Sequence, residues 1–347
     1  MSIDEAARTA AAAHLDRLAK PRGSLGRLED VVVWAAGVQG RCPPSPFAAP
    51  RVVVVAGDHD VARLAGTSAY PPEVTAQMVA AMVAGTAAVC ILAERAGAAV
   101  RVVDAGVAAD YSGSEVPAEV AADRVRAGAG AIDRTDALTA DELDRALALG
   151  RRLVTEERAA GGDLLVPGDL GIGNTTPVAT LVAALTEEDV IAVTGRGTGI
   201  DDATWMRKVT AVRDALWRVR DDHDDPLALV RRVGGPDIAV LVGMLQAAAE
   251  QGLPVILDGV VVTAAALVAE ELAPGSSDWW VAGHRSAEPA HTAALDRLGL
   301  SPLLELSLRL GEGTGALVAL PVLQAALALA ADMATFDSAG VSDRDPG

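Results

Sequence analysis

The sequence predicts an α/β fold, a parallel sheet with helices on both faces. Two observations predict it. Short, continuous, β-branched runs alternate with long helical stretches, the pattern of strands buried on both sides by crossover helices. The 347 residues are 51% hydrophobic but only 3% aromatic, so Ala, Val and Leu fill the interior, as helices packed closely on a sheet require. A chain of this length holds one large domain or two modest ones, with a sizeable core.

The elements follow in order. Residues 4–20 and 24–39 carry helical patterns, parted by Pro21 and Gly23. Four prolines between 41 and 50 mark a connector. Residues 51–57 then read as a buried strand. A long helix is expected over 72–97, a strand over 100–104, a polar acidic loop over 106–133 and a helix over 138–160. Strands are expected at 163–166, 255–258 and 279–282, with helices between them. From 302 to about 336 the chain reads as apolar helix interrupted by Gly311-Glu-Gly-Thr-Gly315, with halves at 303–310 and 316–329. The Asp-, Ser- and Gly-rich end, 337–347, reads as a disordered tail.

Charge and cysteine usage narrow the function. The formal net charge is −18, which repels polyanions and argues against nucleic acid or an anionic membrane surface as partner. A small phosphorylated substrate is still allowed, because backbone N–H groups and one or two cations can hold a phosphate locally. Cys42 and Cys90 stand apart with no Cys-x-x-Cys spacing, so neither a disulfide framework nor a thiolate zinc site is expected. A reducing cytoplasm is the simple reading. The N-terminal region carries Asp4, Glu5, Arg8, Asp16 and Arg17 and no apolar signal core. The uncharged stretch 313–331 contains Pro321 and Gln324 and reads as a buried core helix rather than a membrane span. Acidic runs at 201–202 and 221–225 lack the pattern of a calcium loop and read as solvated surface.

Ligands of open α/β sheets bind beyond the carboxyl ends of the strands. Three segments carry chemistry, the first of them at such a position. In Gly168-Asp-Leu-Gly-Ile-Gly-Asn-Thr-Thr176, Gly171 and Gly173 let the backbone approach a ligand, and Asn174, Thr175 and Thr176 can cap the next helix, whose N–H groups suit a phosphate. A plain tight turn with a capped helix explains the segment equally well. Thr194-Gly-Arg-Gly-Thr-Gly199 is a second such loop, with Lys208 two turns into the following helix. The two loops can surround a monophosphate, or Arg196 and Lys208 can simply pair with Asp201 and Asp202 on the surface. Glu312, flanked by glycines between apolar stretches, suits a general base whose pKa burial has raised. A helix–helix turn explains it too. His59 and His284 follow strands and read as hydrogen-bonding residues of a cleft wall, while His14, His223 and His291 carry no signal. No His-x-x-x-His or third ligand makes a metal site.

Taken together, nine segments resemble the nicotinate-nucleotide:dimethylbenzimidazole phosphoribosyltransferase family. They are Lys20-Pro-Arg-Gly-Ser-Leu-Gly-Arg-Leu-Glu29, Ala56-Gly-Asp-His59, Ser68-Ala-Tyr-Pro71 with Val74-Thr-Ala-Gln-Met-Val79, and Gly171-Ile-Gly-Asn-Thr-Thr176. Gly195-Arg-Gly-Thr-Gly199, Gly234-Gly-Pro-Asp237, Leu257-Asp-Gly259, Gly283-His-Arg-Ser286 and Leu308-Arg-Leu-Gly-Glu-Gly-Thr-Gly-Ala316 complete the set. Any one is weak; nine in the family's order, over nearly the whole chain, are specific.

The resemblance implies a Rossmann-like larger domain over about 50–300 and a smaller helical domain built from both chain ends, about 1–40 with 301–336. Residues 1–336 then form one catalytic unit, working as a homodimer. It implies phosphoribosyl transfer from nicotinate mononucleotide to 5,6-dimethylbenzimidazole, giving α-ribazole 5′-phosphate and nicotinate for the lower ligand of cobalamin. Glu312 matches the family's base. Ser68, Tyr70, Gln77, Met78, Leu170, Leu310 and Gly311 fall in segments that shape the base pocket. Gly171, Gly173, Asn174, Thr175, Gly197, Lys208 and Ser286 fall where phosphate and ribose bind. No metal or redox cofactor is required.

Two positions depart from the family pattern. Asp169 stands where a Glu is usual, one methylene further from the developing positive charge it would face. Asp60 replaces a usual Gly after His59. Both bear on rate and acceptor choice more than on reaction type. Two rival readings stay open at this point: the same reaction on another acceptor, since one methyl in an apolar pocket discriminates by only about 1–3 kcal/mol, and a non-catalytic nucleotide-binding protein.

Overall fold

The structure, a computed structural model, describes residues 2–342. Two helices open the chain, α1 (Glu5–Arg17) and α2 (Arg27–Gln39). Asp4 starts α1 by accepting the Ala7 N–H at 2.9 Å. Strand β1 (Pro50–Gly57) follows, then α3 (Asp60–Leu64), α4 (Glu73–Val83), α5 (Ala88–Ala96) and β2 (Ala99–Gly106). Next come α6 (Ala140–Ala159), β3 (Leu164–Leu170), α7 (Thr175–Thr186), α8 (Val190–Val193), α9 (Asp202–Arg218) and α10 (Pro226–Val233). The chain continues through α11 (Pro236–Gln251), β4 (Val255–Leu257), α12 (Val260–Leu272), β5 (Trp280–Ala282), β6 (His284–Arg285) and α13 (Pro289–Leu298). It closes with β7 (Leu304–Glu305), α14 (Thr314–Asp332) and α15 (Phe336–Ala339).

The main sheet is parallel, in the order β2-β1-β3-β4-β5. This is the α/β sheet that the alternation predicts. Connections run outward to opposite edges from β1 and β3, so the crevice of this doubly wound sheet opens between their carboxyl ends. β1 and β3 are almost wholly buried, as strands covered on both faces must be. Apolar helices α11 and α12 cover the sheet, with α6 laid along α11. At the chain ends α1 packs on α2, and α14 packs on α2 and α5. There His14 Nε2 lies 2.7 Å from the Ala330 carbonyl, and the Ala19 N–H donates to Ala334.

Three expectations change. The helix expected over 72–97 is two helices: Gly85 adopts φ +74°, and Thr86 turns back to bond Ala81 through both its N–H and its hydroxyl. The apolar residues 303–310 are not helical: Leu304–Glu305 is a short strand, and Ser307 turns through left-handed backbone at φ +55°. Their backbone groups pair with the β5–β6 segment, Leu303 and Leu304 donating to Ala282 and Gly283, and Leu308 accepting from Ala287. Local hydrophobicity predicted a helix; non-local pairing decided the conformation. The expected tail opens with an ordered turn, α15, started by a reciprocal Thr335–Ser338 cap. Residues 343–347 of that expectation lie outside the described residues.

Two stretches, Glu73–Ala96 and Thr314–Asp332, are long and apolar enough to cross a membrane. The break at Gly85 leaves α4 and α5 rising only roughly 15 Å each, half a bilayer core. The second stretch, α14, packs against α2, α5, β3 and β4 as a core helix.

Candidate active site

Turns from several elements meet beyond the strand ends, and Glu312 sits in one with three successive left-handed residues. Gly311, Glu312 and Gly313 all adopt left-handed backbone, at φ +83°, +64° and +85°. Only glycine takes this conformation freely, so the Glu312 position stores strain and needs outside support. β3 and Asp258 supply it. The Glu312 N–H donates to the Asp169 carbonyl at 3.0 Å. The Asp258 carboxylate, just past β4, accepts the N–H of Gly313 at 3.1 Å and of Ala316 at 3.0 Å, capping α14. Gly168 lets the turn lie on β3, since a Cβ there would stand 2.5 Å from the Glu312 carbonyl carbon.

Glu312 is 2% exposed, and its Oε2 has no hydrogen-bond partner among the described residues. Burial, and then the Asp258 charge, push its carboxyl up to about 7. Burial works the same way on Asp258, but His284, 3.5 Å away, and the N–H groups of Ala316 and Gly313 outweigh it and hold that carboxyl low. The two acids are thereby pushed apart: Asp258 stays charged while Glu312 titrates near neutrality.

Asp169, at the end of β3, is buried beside them. Its Oδ2 accepts from Asn174 Nδ2 at 2.6 Å, while Oδ1 is unpaired. Burial and the facing Asp237 carboxylate raise Asp169 well above the usual carboxylate range. Asp237, in the first turn of α11, bonds His59 Nε2 at 2.9 Å, both fully buried. Burial disfavours the His59 cation, yet Asp237 prevails and its pKa rises. Asp58 ties α4 to the strand ends by accepting from the Thr75 hydroxyl and from the N–H of Ala108 and Ile172.

On the other side of the crevice the two glycine loops come together around Lys208. Its Nζ donates to Thr175 Oγ1 at 2.8 Å and to the Gly195 carbonyl at 3.0 Å. Lys208 is 1% exposed, and burial lowers its pKa to about 8. Surface pairing therefore fails for Lys208, although it holds for Arg196, which bonds Asp202 at 2.5 Å. Asn174 does not cap α7 as its type suggested; its side chain turns to Asp169 instead. Gly173 adopts φ +94°, and a Cβ on Gly171 would collide with the Gly57 carbonyl. Ser286 is fixed by His291, whose Nδ1 accepts its N–H at 2.9 Å and lies 2.9 Å from its hydroxyl. Burial, then His284, lower the His291 pKa to about 3, so the ring is a neutral acceptor.

The expected base-pocket residues are less tightly gathered. Leu170 packs with Ala76 and Val79 of α4, and Gly311 lies against the Asp169 carbonyl. The loop holding Ser68 joins the loop 194–199 through the Ala69 N–H, which donates to Thr198 Oγ1 at 3.0 Å. Met78 packs on the main core. Tyr70, Gln77 and Leu310 are exposed to solvent. Sequence reasoning missed Asp237, Asp258, Glu288 and His291 as site residues. The first three had a readable signal, a buried-type turn beside a strand end or helix start; His291 had none, being one apolar-helix residue among others.

Among the described residues no group of three His, Cys, Asp or Glu side chains is placed to hold a metal. A hollow of ≈ 470 Å³ is lined by Thr194, Gly195, Arg196, Glu288 and Arg309 and adjoins the Lys208 loops. A second, of ≈ 390 Å³, is lined by residues such as Leu64, Arg134 and Met206 and contains none of the strand-end acids.

The chain has relatives along almost its whole length. The chain matches the model of a Phosphoribosyltransferase family over residues 1–341. It is 58% identical over 341 residues to the nicotinate-nucleotide--dimethylbenzimidazole phosphoribosyltransferase of Mycobacterium bovis (strain BCG / Pasteur 1173P2), covering 98% of this chain and 93% of that one. The Mycobacterium avium (strain 104) protein of the same name is 57% identical, covering 98% and 96%. The crystal structure of the phosphoribosyltransferase of that name from Thermus thermophilus superposes with a TM-score of 0.91 at 42% identity, over 99% of this chain and 100% of that one. With matches of this identity running from end to end, the chain belongs to the nicotinate-nucleotide:dimethylbenzimidazole phosphoribosyltransferase family.

Proposed function

We propose that this enzyme transfers the 5-phosphoribosyl group of nicotinate mononucleotide to 5,6-dimethylbenzimidazole, releasing nicotinate and α-ribazole 5′-phosphate for the lower ligand of cobalamin. One observation carries the mechanism: a buried carboxylate, Glu312, with an unpaired oxygen and a pKa near 7. The pyridinium nitrogen leaves as neutral pyridine, so no acid is needed on that side. Attack by one benzimidazole nitrogen makes the other acidic, and Glu312 Oε2 takes that proton. Attack opposite the leaving base inverts the β donor to an α product. Asp169 faces the positive charge developing on the ribosyl ring, while Lys208, Thr175, Gly197 and Ser286 hold the phosphate. In this reading residues 1–336 act as one catalytic unit, in a cytoplasmic homodimer.

The test is nicotinate release from nicotinate mononucleotide, with chromatography in the presence and absence of 5,6-dimethylbenzimidazole and with adenine as competing acceptor. A new α-ribazole phosphate peak that needs the dimethyl base supports the reading. Donor binding without product on any base would make this a binding protein and Asp169 the first suspect.

A further inference from the structure

The Lys208 loops contain an anion of their own. Glu288, at the start of α13, is 7% exposed, although its neighbours are the groups that would hold a phosphate. Its Oε1 accepts the Gly197 N–H at 2.8 Å. Its other oxygen lies so near Gly195 that any side chain there would collide with it. Its own N–H points at Ser286 Oγ, 3.4 Å away. Lys208 Nζ, bonded to Thr175 and Gly195, is close enough for the Glu288 charge to offset part of its burial.

A buried lysine needs a counter-charge, and Glu288, which makes no direct ion pair with it, is the carboxylate whose charge reaches it. A substrate phosphate brings a larger charge to the same cation and the same N–H group. Two anions in one low-dielectric cradle repel strongly, so they cannot both keep those donors.

We propose that Glu288 is a built-in substitute for the substrate phosphate: it holds the Gly197 N–H and the Lys208 charge, yields them when the phosphoribosyl donor binds, and reclaims them as the phosphorylated product leaves. Glu288 thus sets the affinity of the phosphate site from beneath and speeds product release. It is a positioning residue, acting through Gly197 and Lys208 rather than on the reacting atoms. The inference rests on the phosphate-site assignment above but not on the identity of the acceptor base.

Glu288→Gln keeps the shape and an acceptor for Gly197 while removing the charge. Binding of inorganic phosphate to the full-length protein, followed by titration calorimetry, is expected to tighten by about tenfold or more, because the anion that competes for the same N–H group is gone. In turnover, KM for nicotinate mononucleotide should fall and kcat should fall with it, as product release slows. A purely structural Glu288 would instead lower the melting temperature and leave phosphate affinity unchanged or weaker, which overturns the proposal. Because inorganic phosphate is the probe, the result stands even if no acceptor is turned over. Phosphate that binds neither protein would remove the phosphate-site assignment itself, and with it this inference.

Discussion

Glu312 and Asp169 are joined main chain to main chain, the Glu312 N–H on the Asp169 carbonyl at 3.0 Å. The strained turn that carries Glu312 is therefore anchored on the strand end that carries Asp169. Among the described residues Glu312 Oε2 and Asp169 Oδ1 have no hydrogen-bond partner, and Asp169 faces the Asp237 carboxylate.

Glu312→Gln should lower kcat by about 10²- to 10⁴-fold, the usual worth of a positioned general base. Donor affinity, measured by calorimetry, should hardly change, since the amide keeps the size of the acid. Wild-type turnover in the variant would remove Glu312 from the base role.

The same substitution should stabilise the fold, with a defined pH dependence. The Glu312 carboxyl titrates near 7 in the folded chain, above its ordinary value of 4.5. Such a raised carboxyl contributes stability below its unfolded pKa and loses it as pH rises through the folded value. Glu312→Gln escapes that loss, so it should gain up to about 3 kcal/mol above pH 7 and little at pH 4. Denaturant midpoints at the two pH values measure it; an equal gain at both would deny that Glu312 is buried as a titrating acid. Activity of the wild type should rise with pH through about 7 for the same reason.

Asp169→Glu is expected to leave turnover on 5,6-dimethylbenzimidazole unchanged or higher, because the added methylene carries the carboxylate nearer the ribosyl ring. A large fall in kcat would mean that the pocket, including the 2.6 Å bond to Asn174, is shaped around the shorter acid.

His291→Phe leaves the buried Ser286 N–H without its acceptor, which costs about 1–3 kcal/mol. With a pKa lowered to about 3, the wild-type ring is neutral across the working range. The unfolded ring titrates near its ordinary 6.5 while the folded ring stays neutral, so the wild type, unlike the variant, gains stability as pH rises through 6.5. The loss should therefore be larger at pH 8 than at pH 6, with KM for the donor raised. An equal loss at both pH values would show that the folded ring is not held neutral.

How much of this was legible in advance follows from the range of the forces. The buried strand at β1, the parallel sense of the sheet and the glycine turns after β3 follow from patterns of residue type, and the sequence alone determined them; the strand order came only with the tertiary structure. So did the candidacy of Glu312, a single acid between glycines in an apolar setting. Residues 303–310 read as helix because hydrophobicity does not distinguish a buried helix from a paired segment; the partner at 282–287 decided. Lys208 read as half surface because its type is normally solvated; only the closing of two loops over it, one beginning at Thr175 and one at Gly195, made it a buried cation. The groupings Asp258 with Gly313, Asp237 with His59 and Ser286 with His291 arise from elements distant in the chain or meeting across turns. Tertiary structure alone places them, because hydrogen bonds and charges act over ångströms in space and carry no mark in the spacing of residues along the chain.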